Sequence, residues 1–226
     1  VNKKFHCLAG FLGVALVSSS VQAGIVIGGT RVIYPGDKRE VSLQVDNPDK
    51  VAYLVQSWVE GESKEKAPFV ITPPLLRSEP KEKITLRIVR MGGKLAEARE
   101  SLYWLNIKAI PPNTAADGTN TLQIAVKSRL KLIYRPAALQ EKTPEDVTAS
   151  LKWERSGNML RVSNPTAYYM NFHLVTVGGK EVKDVTYVAP SSTLSMPLPA
   201  GASGTSVTWR LITDFGGIGS EHKANF

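Results

Sequence analysis

Cysteine is all but absent: the 226 residues hold one, Cys7, near the N-terminus. Beyond it the chain can form no disulfide, thiol nucleophile or thiolate metal site, so folded parts must be held by their own cores. Histidine is scarce, and of the 3 present only His173 and His222 lie past the first ten residues. Neither shows a ligand spacing, and structural or surface roles are expected for both. Phosphate-cradling glycine loops and the G-x-S-x-G nucleophile elbow are missing. Ser78-Glu79-Pro80-Lys81 matches S-x-x-K, but the companion elements are absent. Its proline opposes the helical turn that would join Ser and Lys. No catalytic residue, metal or cofactor is expected.

Long apolar runs are also few. Lys3 and Lys4 precede an apolar core over 5–17, and Val21-Gln22-Ala23 supplies small residues for cleavage. That pattern reads as a signal peptide over 1–23, because the run is shorter than the ~20 residues a bilayer span needs. No later run is longer, so an exported product without membrane insertion is expected. The net charge of +8 invites a nucleic-acid reading. Its basic residues are scattered among apolar ones with no recognisable module, so no nucleic-acid partner is expected.

What the chain has in quantity is β-pattern. Alternating or apolar stretches at 24–34, 40–46, 51–60, 69–72, 83–91 and 101–110 are separated by turn signals such as Pro35-Gly36-Asp37 and Asn47-Pro48-Asp49. Only 94–100 has helical propensity. The stretch 136–147 carries two prolines and no period, and reads as a linker around 138–147. Past it, 151–154, 159–162, 168–177, 182–188, 193–198 and 207–213 repeat the pattern in shorter form. The fold class expected is all-β, with a sandwich over 24–137 and a smaller one over 148–226.

The most informative stretch is 120–136. One face carries Leu122, Ile124, Val126, Ser128, Leu130, Leu132 and Tyr134; the other carries Gln123, Ala125, Lys127, Arg129, Lys131, Ile133 and Arg135. Such alternation runs far beyond the ~5–6 residues of an ordinary strand. Periodicity alone leaves two readings open: a half-buried strand with a solvated basic face, or a strand offered to another polypeptide.

Several motifs then fall in one order: Gly29-Thr30-Arg31-Val32-Ile33-Tyr34, Ile71-Thr72-Pro73-Pro74, Arg99-Glu100-Ser101-Leu102-Tyr103-Trp104, Leu130-Lys131-Leu132-Ile133-Tyr134-Arg135-Pro136, Asn164-Pro165-Thr166-Ala167-Tyr168-Tyr169 and Thr213-Asp214-Phe215-Gly216-Gly217. With these the chain resembles the PapD-like periplasmic pilus-assembly chaperones of the chaperone–usher pathway. The short connection 111–119 is similar to the subgroup with short loops. The resemblance implies two immunoglobulin-like β-sandwich domains in a boomerang, and a periplasmic location. It implies a non-enzymatic chaperone that lends a strand to pilus or fimbrial subunits and delivers them to an outer-membrane usher. By the same resemblance Leu122, Ile124 and Val126 would be the inserted apolar side chains. Arg31 and Lys131 would anchor the subunit's C-terminal carboxylate. Glu100, Arg135 and Asp214 would form a charged cluster between the domains. Weak self-association of the free protein through its exposed strand is left open. An exported adhesin whose basic strand binds a surface polymer is the rival reading.

Overall fold

The structure, a computed structural model, describes residues 24–62, 66–113 and 122–226. The signal-peptide expectation over 1–23 therefore falls outside the described residues, as does most of the connection 111–119. The N-terminal part contains β1 (Val26–Ile27), β2 (Arg31–Pro35), β3 (Glu40–Asp46), β4 (Tyr53–Gly61), β5 (Phe69–Thr72), β6 (Leu75–Ser78), β7 (Lys83–Arg90), β8 (Ser101–Ile110) and β9 (Val126–Arg135). They form two facing sheets, ordered β1-β3-β7-β5 and β2-β9-β8-β4-β6. All pairs are antiparallel except β2 with β9, which run parallel. Period-two alternation places Leu43, Val45, Leu86 and Ile88 of one sheet against Tyr34, Leu105, Ile107 and Leu132 of the other, all buried.

Expectation and structure part at three places. The stretch 24–34 is not one strand: β1 pairs with β3 in one sheet and β2 with β9 in the other. Gly28 and Gly29 lie at the crossing, where a strand without side chains can change sheets. The segment 94–100 forms no helix. Seven residues are too few to repay helix nucleation, and the Glu100 amide is instead taken by the carbonyl of Ala167, across the domains, at 2.9 Å. The linker, in turn, is ordered. It folds into helical turns at Ala137–Leu139, α1 (Pro144–Val147) and Thr148–Ser150, and Thr143 and Asp146 form a reciprocal capping box on α1.

The C-terminal part contains β10 (Lys152–Ser156), β11 (Met159–Asn164), β12 (Met170–Val177), β13 (Lys180–Glu181), β14 (Tyr187–Val188), β15 (Ser192–Pro197), β16 (Ser206–Leu211) and β17 (His222–Asn225). One sheet is β10-β11-β15; the other runs β13-β12-β16-β17, with β14 also on β12. Trp153, Leu160, Val162, Met170, Phe172, Trp209 and Leu211 fill the space between them. In place of a disulfide, β17 is held by a stack of His222 on Trp209 at 5.7 Å and by a 2.9 Å contact from His222 Nε2 to Glu145. Trp209 Nε1 donates to Thr148 Oγ1 at 2.8 Å, tying the strand to the linker. His222 thus has a structural place, while His173 is exposed on β12.

Truncating a filled core position should cost far more than truncating an exposed one of the same chemistry. Leu132→Ala, at a site with 0% exposure, is expected to lose about 2–5 kcal/mol. Ile124→Ala, at 65% exposure, should stay within about 0.5 kcal/mol of the parent. Urea unfolding of the two variants checks the contrast.

Candidate functional site

The unusual feature is the flank of β9. On one side β8 accompanies it from Val126 to Tyr134. On the other, β2 accompanies it only from Lys131 to Arg135. Residues 126–130 therefore keep a free edge, and 122–125 continue from it outside any strand, so the regular strand is shorter than its alternating sequence. Alternation carries the apolar face off the end of the core: Leu130 and Leu132 are 6% and 0% exposed, whereas Val126, Ile124 and Leu122 are 57%, 65% and 88% exposed. Three large aliphatic side chains in a row in water, beside unpaired backbone, form the surface that natural sheets ordinarily cover or charge.

Where the free edge stops, two cations stand side by side. Arg31 opens β2 and is the direct register partner of Lys131 on β9. Both are half-buried between the two sandwiches. Arg31 Nη1 donates to the carbonyl of Ile212 at 3.2 Å, and its buried Nε has no partner. Lys131 Nζ donates to Asn171 Oδ1 and lies 4.4 Å from the centroid of the Tyr187 ring. Among the described residues neither cation forms an ion pair. Burial first, then the neighbouring Arg31 charge, lowers the Lys131 ammonium to about 8. Burial also lowers Arg31, with Asp214 pulling the other way; a guanidinium nonetheless keeps its charge. Because the unfolded chain holds the Lys131 proton to the ordinary lysine value, the cost of burying this charge is fully present below about pH 8. It is relieved as pH rises above that. The pocket is thus destabilising to the free protein and complementary to an anion.

Four residues further along the same face of β9, Arg135 is the centre of a cluster. Its Nε donates to Glu100 Oε1 at 2.7 Å, and Nη1 and Nη2 reach both oxygens of Asp214 at 2.7 and 2.9 Å. The second oxygen of Glu100 accepts the Tyr169 amide at 2.7 Å. Burial works against the Arg135 charge, but the two carboxylates outweigh it and hold the guanidinium protonated. For Glu100, burial wins over its partners and pushes the carboxyl upward. Glu100 and Arg135 come from the first sandwich and Asp214 and Tyr169 from the second, so the cluster fixes one against the other. Leu102, Ile133 and Tyr169 form a small apolar core beside it. Gly216 allows the close approach: its φ is +83°, and a Cβ there would fall 2.5 Å from Thr30 Oγ1.

The structure brings the singled-out charged residues together as two neighbouring groups and leaves the three aliphatic ones outside the core. Sequence reading missed Asn171, Tyr187 and Glu62. The Tyr187 hydroxyl donates to Glu62 at 2.8 Å across the cleft, and nothing in the local pattern of any of these residues marks them. The S-x-x-K match is accidental: Ser78 is buried, and Lys81 reaches the carbonyl of Pro48. Among the described residues no group of three or more His, Cys, Asp or Glu could hold a metal, and no helix is long and apolar enough to cross a membrane.

Fold and cleft define a two-domain immunoglobulin-like protein with a free edge along part of β9. Residues 24–140 match the family model for the pili and flagellar-assembly chaperone PapD N-terminal domain, and residues 146–223 match that for the pili assembly chaperone PapD C-terminal domain. The chain belongs to the pili-assembly chaperone family, which consists of assembly helpers and not enzymes. It is 41% identical to the chaperone protein FocC of Escherichia coli over 96% of both chains. To the chaperone protein FimC of Escherichia coli K12 it is 39% identical, over 95% of this chain and 90% of that one. It is also similar to a chain in the solved complex of the Salmonella enterica SafA pilin with the SafB chaperone. There the TM-score is 0.84 and the identity 41%, over 90% of this chain and 96% of that one. The Escherichia coli chaperone DraB gives a TM-score of 0.80 at 42% identity, over 90% and 98%. Overlays of that extent span both sandwiches, so the two-domain immunoglobulin-like fold is shared.

Removing the shared partner of the cluster should be the costly change. Arg135→Ala leaves two carboxylates facing each other in a dry interface and is expected to destabilise by about 3–5 kcal/mol. Asp214→Asn, which keeps a hydrogen-bonding oxygen for the guanidinium, should cost less. Denaturant midpoints at neutral pH decide the order.

Proposed function

We propose that this protein is a periplasmic chaperone that binds pilus subunits by strand complementation, through Leu122, Ile124 and Val126, with the subunit's C-terminal carboxylate held by Arg31 and Lys131. It then hands the subunit to an outer-membrane usher. In this reading a leader over 1–23 is cleaved, and sandwiches over 24–137 and 148–226 are joined by a connecting 138–147. The family supports the pathway. The observation that carries the mechanism is the free edge of β9, which ends at two cations that form no ion pair among the described residues.

That geometry also favours one direction of binding. An added strand can pair only up to Leu130, because β2 occupies the edge from Lys131 onward. A strand running parallel to β9 brings its C-terminal carboxylate to Arg31 and Lys131. An antiparallel one would bring its positive N-terminus there, which two cations repel. Charge-assisted hydrogen bonds to the carboxylate then fix the register, and register decides which side chains face the guest's open core, since a slip of one residue turns the apolar row away. A guest short of one strand gains backbone pairing and three aliphatic side chains together. Glu100, Arg135 and Asp214 act as a positioning cluster that holds the angle of the cleft.

Loss of either cation should release the guest without unfolding the protein. A hydrogen bond to a charged group contributes about 1.5–3 kcal/mol, or roughly ten- to a hundredfold in affinity. Lys131→Ala and Arg31→Ala should therefore lower subunit co-purification by that factor with melting temperature preserved. Co-purification at the parent yield would rule the anchor out. Ile124→Asp should abolish capture with little change in thermal stability, and an undiminished complex would remove Ile124 from the contact. Since Lys131 loses its proton above about 8, subunit affinity should fall between pH 7 and 9 in the parent and stay flat in Lys131→Met.

A further inference from the structure

The Arg135 cluster is one tie across the cleft, and Glu62, one residue past β4, makes another. Its Oε1 accepts the Tyr187 hydroxyl at 2.8 Å, and its Oε2 has a longer contact to the Tyr169 hydroxyl at 3.4 Å. Both tyrosines belong to the second sandwich, and their rings lie 5.7 Å apart at 53°. What distinguishes this tie is the cation standing on Tyr187. The Lys131 ammonium lies 4.4 Å from the centroid of that ring and donates to Asn171 Oδ1. Asn171 and Tyr187 are direct register partners on β12 and β14, so adjacent strands offer Lys131 an acceptor and a ring face together. Because β14 is only two residues long, sheet pairing fixes the ring weakly, and its hydroxyl tip is fastened instead by a carboxylate from the other domain. Burial first, then the hydrogen bond to Glu62, pushes the Tyr187 hydroxyl up to about 12, so it remains a donor. A phenol that donates to a carboxylate gains electron density in its ring, and a cation over that face is held more strongly. Of the charged groups acting on Lys131, Arg31 opposes its charge and Glu62 supports it. An ammonium has three donors. Asn171 takes one and the ring covers a second direction, which leaves the third for a ligand at the end of the free edge.

We propose that Glu62 and Tyr187 are positioning residues for the anchor: the carboxylate sets the Tyr187 ring, and the ring holds the Lys131 ammonium at the end of the free edge. This rests on the reading above that Lys131 meets the guest's C-terminal carboxylate. Lysine carries its charge on a flexible four-carbon stem, and an ammonium without a fixed seat is spread over many directions. Seated on a ring that is itself fastened, it is ordered before the guest arrives, and the cost of ordering it falls outside the binding step. Glu62 and Tyr187 thereby set the strength of the anchor through Lys131.

Two variants break the tie: Tyr187→Phe deletes the hydroxyl and keeps the ring, and Glu62→Ala deletes the acceptor. In NMR spectra of the whole protein, the Lys131 protons beside the ammonium should resonate upfield of ordinary lysine, because the ring lies under them. Both variants should move them back toward the ordinary position, and the two changes combined should add little, since either one alone breaks the relay. Glu62→Gln, which keeps an oxygen acceptor, should restore the upfield position. Binding is read by fluorescence anisotropy with a peptide alternating valine and serine, its C-terminus either free or amidated. About ten residues suffice, at roughly 3.3 Å per residue, to span the free edge. The parent should prefer the free carboxylate by about tenfold or more, the scale of one hydrogen bond to a charged group. In Tyr187→Phe and Glu62→Ala that preference should shrink to within about threefold, with the amidated peptide bound as before. A lysine signal that stays in place in both variants overturns the proposal, as does a carboxylate preference that survives them. A lower melting temperature with both readings unchanged would make the tie a plain fastening between domains and equally overturn it. A parent that binds the two peptides alike would count against the anchor reading instead, while the lysine signal still decides whether Glu62 and Tyr187 hold Lys131.

Discussion

Two positive charges, paired across strands spaced about 4.8 Å apart and taken partly out of water without an ion pair among the described residues, are the constraint on which the rest of this molecule turns. Such an arrangement costs stability, and proteins ordinarily avoid it or neutralise it. Here the charges are retained by devices that do not cancel them. A carbonyl at Ile212, an amide oxygen at Asn171 and the face of Tyr187 solvate them from the second sandwich. On the proposed function the partner comes from outside, as a strand arriving with its carboxylate first along the open edge that ends there.

Holding that pocket in shape is the task of the interdomain cluster. Arg135 lies on the same face of β9 as Lys131, so one strand carries both the proposed anchor and the joint between the domains. A buried ionic group of this kind contributes little net stability, but its bidentate geometry admits few alternative angles. The apolar patch of Leu102, Ile133 and Tyr169 supplies the cohesion that the charges do not. Together they show what the second sandwich contributes: the groups that solvate Arg31 and Lys131 and the carboxylate for Arg135.

β9 itself shows how one sequence period serves three ends. Its even residues begin in water at Leu122 and finish in the core at Tyr134, so on the proposed function the apolar row would be shared between guest and host. Its odd residues begin as an exposed cationic row and finish as the proposed anchor and the joint between the domains. A shift of one residue in the pairing with β2 or β8 would exchange all of these roles, and the core at Leu130, Leu132 and Tyr134 is what prevents it.

Much of this was legible before any fold was known. Alternation marked most strands, Pro and Gly marked their ends, and the ordered motifs around Arg31, Lys131 and Asp214 pointed to a family and to residues worth watching. Short elements escaped. β1, β6, β13 and β17 are only two to four residues long, too brief for a period to show, and the helical tendency of 94–100 lost to the position of Glu100 under Ala167. The sequence by itself determined the alternating faces, because side-chain direction in a strand follows from backbone geometry alone. Only the tertiary structure decided where along β9 the same alternation stops being core and becomes free edge. That point is set by where β2 joins the sheet, a contact nearly a hundred residues away in the chain, and no local pattern encodes a distant neighbour's end.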